Sequence, residues 1–446
     1  MHRLTLALAG TLLAMRAVHA QDPGRIPLDT FSLPNGLQVV LAEDHSAQVV
    51  AVDMWYHVGS RNEVPGRTGF AHLFEHMMFE GSAHVPKGEH LKLVSHAGGQ
   101  LNGSTTEDRT EYWDVLPSNR LNLGLWLEAD RMRSLAVTDS TFHNQREAVK
   151  EERRLRVDNQ PYGRTLFEET YAAFDPKTCF PYSHSVIGSM DDLNAAQTAD
   201  VQAFFHQYYA PDNATLVVTG DFVPAEARKL ITDYFGGIPE AAPVPPVVCN
   251  QSFSPGAQRK VMEDDKATLP AAFQVYRVPA YDNADYPALE LLATILGQGE
   301  SSRLNRALTR ESKSAVATQV LLNPFGPRRG PGIFLAFAIA NQGVPVDTVD
   351  AQLAAQIAKL GTEGITDAEL TKARNSYRAD AIFERQTAFG RAELLERDAL
   401  FLGSPEAADN DIDRYMKVTT DDIKRVASTY LVPNNSLTLI VTAGAK

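Results

Sequence analysis

The stretch Thr198-Ala199-Asp200-Val201 opens a unit that occurs twice in the chain. Residues 198–218 and 420–440 match without a gap at an offset of 222 positions, which aligns Tyr208 with Tyr430. In each copy a Thr-Asp helix cap leads into a helical pattern, and a Pro-Asn turn then leads into an apolar run typical of a strand. A helix-turn-strand unit at the end of each half predicts that the chain is built from two similar domains.

Strands and long helices are mixed in both halves of the chain. Apolar runs predict strands at 37–41, 49–58, 271–278 and 332–340. Helical periodicity covers about 68–80, 119–134, 140–157, 285–297, 347–360, 366–402 and 420–430. The charged pairs along the last third of 366–402 indicate a solvent-exposed face. This mixture predicts an α+β protein made of two homologous α/β sandwich domains.

Prolines mark the connection between the two domains. They fall at 239, 243, 245, 246 and 255 and predict a stiff, extended, Pro-rich linker over 237–256. The first domain then spans 21–236 and the second spans 257–446.

The first twenty residues have the composition of a secretory signal. A short basic start precedes an apolar core at 4–15 that is too short to span a bilayer, and Val18-His19-Ala20 places small residues at the cleavage position. We therefore expect a signal peptide over 1–20 and an exported protein, periplasmic or extracellular. An uncleaved anchor or a chance apolar start is the alternative. No later apolar run is long enough to cross a bilayer, so no membrane contact is expected after cleavage.

The overall composition is that of a folded globular chain. The 446 residues are 44% hydrophobic and 22% charged, with 42 basic and 55 acidic residues and a net charge of −13. This balance disfavours a nucleic-acid partner. Two cysteines exclude a scaffold held by several disulfides. In an oxidising compartment Cys179 and Cys249 form either a bridge from the first domain to the linker or two free thiols.

The clearest indication of a catalytic or metal site is the run Gly69-Phe70-Ala71-His72-Leu73-Phe74-Glu75-His76-Met77-Met78-Phe79. On a helix, His72 and His76 share a face and Glu75 lies beside them, so two imidazoles can hold one cation next to a carboxylate. This H-x-x-E-H order is the zinc-peptidase motif in reverse. A pair of core or surface histidines on an amphipathic helix is the alternative.

The histidines confine this chemistry to the first half. All twelve lie at or before His206, and the corresponding helix of the second half, at 286–297, is apolar. We therefore expect 21–236 to be the catalytic zinc-binding domain and 257–446 to be a homologous domain without a metal.

A catalytic zinc ion needs a third protein ligand and leaves one position for water. The helical pattern over 142–156 offers Glu151 and Glu152. On this helix Glu152 shares a face with Val149 and Leu155, whereas Glu151 lies on the more polar face. A core-facing carboxylate is costly unless it is paired or bound to a metal, which favours Glu152.

With these residues the sequence resembles the pitrilysin-type metallopeptidases, the H-x-x-E-H zinc family that includes insulin-degrading enzyme and the mitochondrial processing peptidases. The resemblance covers nearly all of the chain after residue 20, and the length suits two-domain bacterial members close to the processing-peptidase branch. The family's third ligand lies about 76 residues past the second histidine, which also leads to Glu152. The resemblance implies one Zn²⁺ per chain on His72, His76 and Glu152, with Glu75 as the base.

Two further stretches are similar to family features. The first resembles the family's edge strand, along which the substrate backbone lies as an added strand, and it reads Gly98-Gly99-Gln100-Leu101-Asn102-Gly103-Ser104-Thr105. Gly103 stands where alanine is usual in the family. The resemblance implies that Asn102, Gly103 and Ser104 contact the peptide. An ordinary strand after a Gly-Gly turn is the alternative. Seven residues before Glu152, many relatives have a glutamate that supports a ligating histidine, and this chain has Gln145. Gln145 can accept a hydrogen bond but adds no charge, so we expect weaker zinc retention.

One family feature is incomplete in this chain. Relatives bind the substrate carbonyl with an Arg and a Tyr seven residues apart in the second domain. Ser301-Ser302-Arg303-Leu304 is present, but Val316 and Ala317 stand seven positions after Thr309 and Arg310, so the phenol is missing. We expect a heterodimer with a homologous, zinc-less subunit that supplies both donors, or else a homodimer. A substitute residue or a slower enzyme is the alternative.

Together these observations predict an exported zinc-dependent endopeptidase that hydrolyses peptides or unfolded segments. The alternative is a non-catalytic homologue that acts as a scaffold or binding subunit of a dimeric complex. The set of two imidazoles and two carboxylates favours the enzyme, because a scaffold has no use for it.

Overall fold

The computed structural model describes residues 26–444. The predicted signal peptide over 1–20 lies outside the described residues. Between residues 26 and 444, no helix is both long enough and apolar enough to cross a membrane.

The first half of the described chain contains strands β1 to β6 and helices α1 to α9. The strands are β1 Asp29–Ser32, β2 Gln38–Glu43, β3 Val49–Tyr56, β4 Gln100–Thr105, β5 Thr110–Pro117 and β6 Ala214–Gly220. The helices are α1 Phe70–Met77, α2 Glu89–His96, α3 Leu121–Ser134, α4 Asp139–Arg153, α5 Gly163–Phe167, α6 Pro176–Cys179, α7 Met190–Ala195, α8 Thr198–Tyr208 and α9 Pro224–Phe235. A wider, π-helical turn over Arg154–Asp158 continues α4.

The second half has the same mixture of elements. Its strands are β7 Gln258–Asp264, β8 Ala271–Val278, β9 Ala315–Leu322, β10 Gly332–Ala340 and β11 Ser436–Ala443. Its helices are α10 Tyr286–Gly297, α11 Val346–Thr362, α12 Asp367–Glu384, α13 Ala388–Leu402, α14 Asp411–Met416 and α15 Thr420–Tyr430.

The two sheets share one strand order, except that the first sheet has β1 as an additional edge strand. The first has the order β1-β2-β6-β3-β5-β4, and the second has the order β7-β11-β8-β10-β9. β2 pairs in parallel with β6, and β7 pairs in parallel with β11. The other neighbours are antiparallel. Since β6 and β11 close the repeated sequence unit, the prediction of two homologous α/β sandwich domains is confirmed.

Each sheet packs one face on helices of its own half and the other face on a segment from the opposite half. α13 lies across the first sheet, where Ala392 and Leu395 join Val217 in one buried cluster. The second sheet is covered in turn by the first half, where Phe174 belongs to the same buried cluster as Phe273 of β8. Because apolar burial is the main stabilising contribution, each half supplies part of the core of the other.

An irregular segment connects the halves between α9 and β7. Residues 239–257 form neither helix nor strand. Cys249 in this segment forms a disulfide with Cys179, 70 residues earlier, so the alternative of two free thiols is wrong. The Asn250 amide also donates to the Thr178 carbonyl at 2.8 Å. The connection is therefore held against α6 of the first half.

The single helix predicted over 366–402 is in fact the two helices α12 and α13. Thr387 caps α13 by accepting a hydrogen bond from the Gly390 amide at 2.9 Å. Gly390 lies so close to the preceding helix that a Cβ there would be 2.0 Å from the Glu384 carbonyl oxygen. The prediction of a solvent-exposed charged face is also wrong for Glu396, which is fully buried where α13 packs on β3. Burial raises the pKa of this carboxyl well above its usual range.

A buried ion pair joins the two halves just beyond β4. Arg328, in the loop between β9 and β10, donates to the Glu107 carboxylate, and both side chains are 0% exposed. The Tyr171 hydroxyl also donates to Glu107, at 2.8 Å. The adjacent Asp108 accepts a hydrogen bond from the Tyr182 hydroxyl at 3.0 Å. Because buried carboxylates are costly unless they are paired, the Arg328 ion pair fixes the turn between β4 and β5 against the second half, while the two tyrosines hold the same turn within the first half.

Candidate metal centre

The start of α1 is fixed by a turn and by a buried carboxylate. Gly69 has a φ of +88°, and a Cβ at this position would lie 2.8 Å from the Ile187 carbonyl oxygen. The Glu63 carboxylate accepts hydrogen bonds from the amides of Gly69 and Ala71, both at 2.9 Å. A carboxylate at this end satisfies free amides and complements the helix dipole.

α1 buries one face and presents the other to a cavity. Phe70, Leu73 and Phe74 lie in the core of the first half. His72, Glu75 and His76 line the cavity. The helical spacing expected from the sequence therefore brings the three polar side chains to one place.

Glu152, near the end of α4, lies beside both imidazoles. Its Oε2 is 3.1 Å from Nε2 of His76 and 3.6 Å from Nε2 of His72. The ligand atoms of the three residues lie within 4.8 Å of one another. Glu151 instead has a side chain that is 57% exposed and pairs with Arg154 at 2.8 Å. The structure thus brings Glu152, and not Glu151, to the two histidines.

The donor set suits a zinc ion, whose usual ligands are imidazole nitrogens and carboxylate oxygens. Burial lowers the pKa of His72 to about 4, so this ring is neutral and keeps a lone pair for a metal. The hydrogen bond with His76 lowers the pKa of Glu152 and favours the ionised carboxylate. Arg156 binds Oε1 of Glu152 at 2.8 Å, which leaves Oε2 facing the imidazoles. The residues present therefore fit one zinc ion.

Gln145 links His76 to a carboxylate that sequence reasoning missed. Oε1 of Gln145 lies 3.3 Å from Nδ1 of His76, and its Nε2 donates to Glu80 at 2.5 Å. Glu80 has a side chain that is 6% exposed, and it pairs with Lys87 at 2.7 Å. The negative charge that Gln145 lacks is therefore supplied by Glu80, which contacts His76 through Gln145. The only signal in the sequence was the position of Glu80, four residues after His76.

Glu75 is held by the end of β4. The Thr105 hydroxyl donates to Oε2 of Glu75 at 2.7 Å. Burial raises the pKa of Glu75, which brings this carboxylate closer to the range in which it can accept and return a proton near neutral pH. Thr105 stood in the strand motif, but no pattern in the sequence marked it as a partner of Glu75.

β4 forms one edge of the first sheet and runs alongside α1. A Cβ at Gly103 would lie 3.3 Å from Cγ of Glu75 and 3.0 Å from the Glu111 carbonyl oxygen, so glycine allows β4 to approach α1 closely. Asn102 is exposed. The Ser104 hydroxyl donates to Glu111 at 3.0 Å, so this side chain is engaged within the sheet.

A cavity of about 600 Å³ lies over these groups. Its polar lining includes the two histidines, Glu75, Glu152, Gln145 and residues 102–105 of β4. Its apolar lining includes Val157, Phe167, Val186, Ile187 and Phe325. Because Phe325 belongs to the second half, the cavity is shared by both halves.

A second group of candidate ligands lies behind the cavity. His90, Asp114 and Glu128 are buried, and their ligand atoms also lie within 4.8 Å of one another. Arg131 donates to Glu128 at 2.9 Å, and its guanidinium lies 4.4 Å from the ring centre of Tyr112. A fixed cation is therefore already bonded to Glu128, and His90 lies 3.6 Å from Asp114, so we assign the group as an internal ion-pair network.

The positions considered for binding the substrate carbonyl lie away from the cavity. Arg303 pairs with Glu369 at 2.7 Å and donates to the Gly364 carbonyl at 3.0 Å. Val316 and Ala317 lie on β9, at the edge of the second sheet. Within residues 26–444, the second half brings Phe325 to the cavity but none of these positions.

Family models match both halves of the chain. Residues 38–175 match the model described as Insulinase (Peptidase family M16), and residues 195–377 match the model described as Peptidase M16 inactive domain. The chain belongs to this insulinase family, peptidase family M16.

Individual relatives agree with this assignment. The chain is 30% identical over 440 residues to the zinc protease PqqE of Helicobacter pylori, and the alignment covers 98% of each chain. The crystal structure of a protease from Helicobacter pylori matches with a TM-score of 0.88 at 30% identity, over 94% of this chain and 99% of that chain. The mitochondrial-processing peptidase subunit beta of Blastocladiella emersonii is 24% identical over 90% of this chain and 85% of its own length. The resemblance inferred from the motifs is confirmed.

We expect Glu80→Gln to lower zinc affinity by about 10- to 100-fold, because it removes the charge behind Gln145 and His76. Competition with a chromophoric chelator measures the affinity. Glu89→Gln removes the same charge from a side chain of α2 that is 40% exposed, and it should leave the affinity unchanged. Equal affinities for the two variants would show that the bond from Gln145 to Glu80 does not support the site.

Proposed function

We propose that this protein is an exported zinc-dependent endopeptidase that hydrolyses peptides or unfolded segments. The observation that carries the proposal is the convergence of His72, His76 and Glu152 beside Glu75 in one cavity. Membership of peptidase family M16, and a relative named a zinc protease that matches along 98% of the chain, support it.

His72, His76 and Glu152 are the residues that would hold one Zn²⁺. When bound, the ion supplies an electrophile that polarises a carbonyl group and makes water nucleophilic near neutral pH. Gln145 interacts with Nδ1 of His76 and so leaves Nε2 of that ring facing Glu152.

Glu75 is proposed as the general base. Its carboxylate accepts a proton from the attacking water and passes it to the amine that leaves when the peptide C–N bond breaks. Thr105 donates to Oε2 of Glu75, which leaves Oε1 for the water. Burial raises the pKa of Glu75, which strengthens its carboxylate as the acceptor of the proton from water.

The edge of β4 is proposed to bind the peptide as an added strand. β4 has β5 as its neighbour on one side and ends the strand order of the first sheet. Asn102 is exposed there and can contact the peptide with its side chain. Gly103 and Ser104 would contribute backbone groups, since the Ser104 hydroxyl is already bonded to Glu111.

Export is part of the proposal. The signal-like composition of residues 1–20 supports it, and so does the disulfide between Cys179 and Cys249, since such bonds persist in oxidising compartments. N-terminal sequencing of the mature protein should then begin at Gln21.

A non-catalytic scaffold is not favoured by the inactive-domain match. That match covers 195–377, whereas the H-x-x-E-H motif and Glu152 lie within 38–175. The half that it describes is therefore the half proposed to hold no metal.

We expect Glu75→Gln to retain zinc and to lower kcat/KM by about three orders of magnitude, because it removes the base but no ligand. Metal analysis and a chelator-sensitive peptide digest measure the two quantities. Glu147→Gln, at a side chain of α4 that is 53% exposed, is the matched control and should leave both unchanged. Cleavage by Glu75→Gln at a near-native rate would overturn the assignment of the base.

We also propose that a homologous, zinc-less subunit pairs with this chain and lends an Arg and a Tyr to its site. Arg303 is engaged by Glu369, and Val316 and Ala317 cannot donate from a side chain. A relative that is named as a subunit, the processing-peptidase beta chain, supports a paired arrangement. A homodimer is the second form of the proposal.

Copurification from the native source, followed by assays of each subunit alone and mixed, tests the pairing. One missing oxyanion donor costs about 10²–10³ in rate, so mixing should raise kcat by about that factor. Full activity of this chain alone, unchanged by any homologue, would contradict the heterodimer.

A further inference from the structure

The loop between β9 and β10 reaches from the second half to the cavity of the first. We call residues 323–331 the interdomain loop. Asn323 has a φ of +47°, and its Oδ1 accepts a hydrogen bond from the Ile333 amide at 2.8 Å. The Gly326 amide donates to the Asn323 carbonyl at 2.9 Å. Phe325 therefore lies in a tight, internally bonded turn.

Arg328 anchors the interdomain loop to the first half. Its ion pair with Glu107 is fully buried, and its guanidinium lies 5.5 Å from the ring centre of Tyr171 and 5.7 Å from that of Tyr182. The Arg328 carbonyl accepts a hydrogen bond from the Tyr281 amide of the second half at 3.0 Å. The loop is thus held by both halves, three residues away from Phe325.

The ring of Phe325 forms part of the apolar lining of the cavity. Its centre lies 5.6 Å from that of Phe167, and Val186 and Ile187 line the same cavity. Phe325 and Phe167 are both partly exposed, so their rings are available to a ligand. The metal-ligand candidates and β4 line this cavity as well, which brings the apolar surface within reach of a peptide placed along β4.

We infer that Phe325 is a specificity-determining residue that selects peptides with a large apolar side chain next to the cleaved bond. The inference rests on the proposed peptidase function and names its substrate class. An apolar pocket discriminates by size, since one methylene more or less changes kcat/KM by about 10- to 200-fold. The second half, which holds none of the metal-ligand candidates, thereby takes part in recognition through its own side chain.

Two peptides that differ only by Leu or Ala at a position flanking the cleaved bond test the inference. Phe325→Ala should lower kcat/KM for the Leu peptide about tenfold or more and for the Ala peptide less than about threefold. Phe325→Leu should keep most of the preference, because it restores an apolar side chain. Phe383→Ala removes a phenylalanine that is 65% exposed at the end of α12 and should change neither value.

Peptide binding to the Glu75→Gln protein, with and without Phe325→Ala, separates recognition from hydrolysis. Calorimetry should show that Phe325→Ala removes the tighter binding of the Leu peptide. If the wild-type protein cleaves neither peptide but this binding preference is present, the inference holds and the proposed hydrolysis fails. The inference would be overturned if Phe325→Ala lowered kcat/KM equally for both peptides. It would also be overturned if Phe325→Ala left the preference for the Leu peptide unchanged in binding and in cleavage. Thermal denaturation confirms that each variant is folded.

Discussion

Glu107 and Arg328 lie 221 positions apart in the chain, and their side chains form an ion pair that is fully buried where the two halves meet. Removal of one partner from such a pair leaves an uncompensated charge, at a cost of about 3–5 kcal/mol. Glu107 follows β4 by two residues, and Thr105 at the end of β4 bonds to Glu75. The ion pair therefore determines how the second half meets the strand that positions the proposed base.

In the duplicated fold, the candidate metal ligands and the proposed base all lie in one half. One half carries the imidazoles and carboxylates, and the other carries an apolar helix, α10, in the corresponding place. The second half still shapes the site, because α13 covers the first sheet and the interdomain loop brings Phe325 to the cavity. The exchange of covering segments makes the cores interdependent, so the half without the candidate ligands His72, His76 and Glu152 also contributes to the cavity that they line.

The residues that could be predicted from the sequence are those fixed by helical spacing. His72, Glu75 and His76 share one face of a helix, and helical spacing in α4 favours Glu152 over Glu151 as their partner. The two sandwich domains followed from the repeat that ends each half. Glu80, Thr105 and Phe325 could not be found in this way, because each reaches the site through contacts between elements distant in sequence. The turn at Thr387 was missed because its capping residue lies within an otherwise continuous helical pattern.

Whether His72, His76 and Glu152 bind zinc is tested most directly by the zinc content per chain after dialysis. Three proteins are compared, namely the wild type, Glu152→Gln and Glu151→Gln, so that the same change is made at adjacent positions of one helix. We expect one zinc ion per chain in the wild type and in Glu151→Gln, and a large loss in Glu152→Gln. Equal zinc in all three proteins, or no zinc in the wild type, would contradict the proposed site.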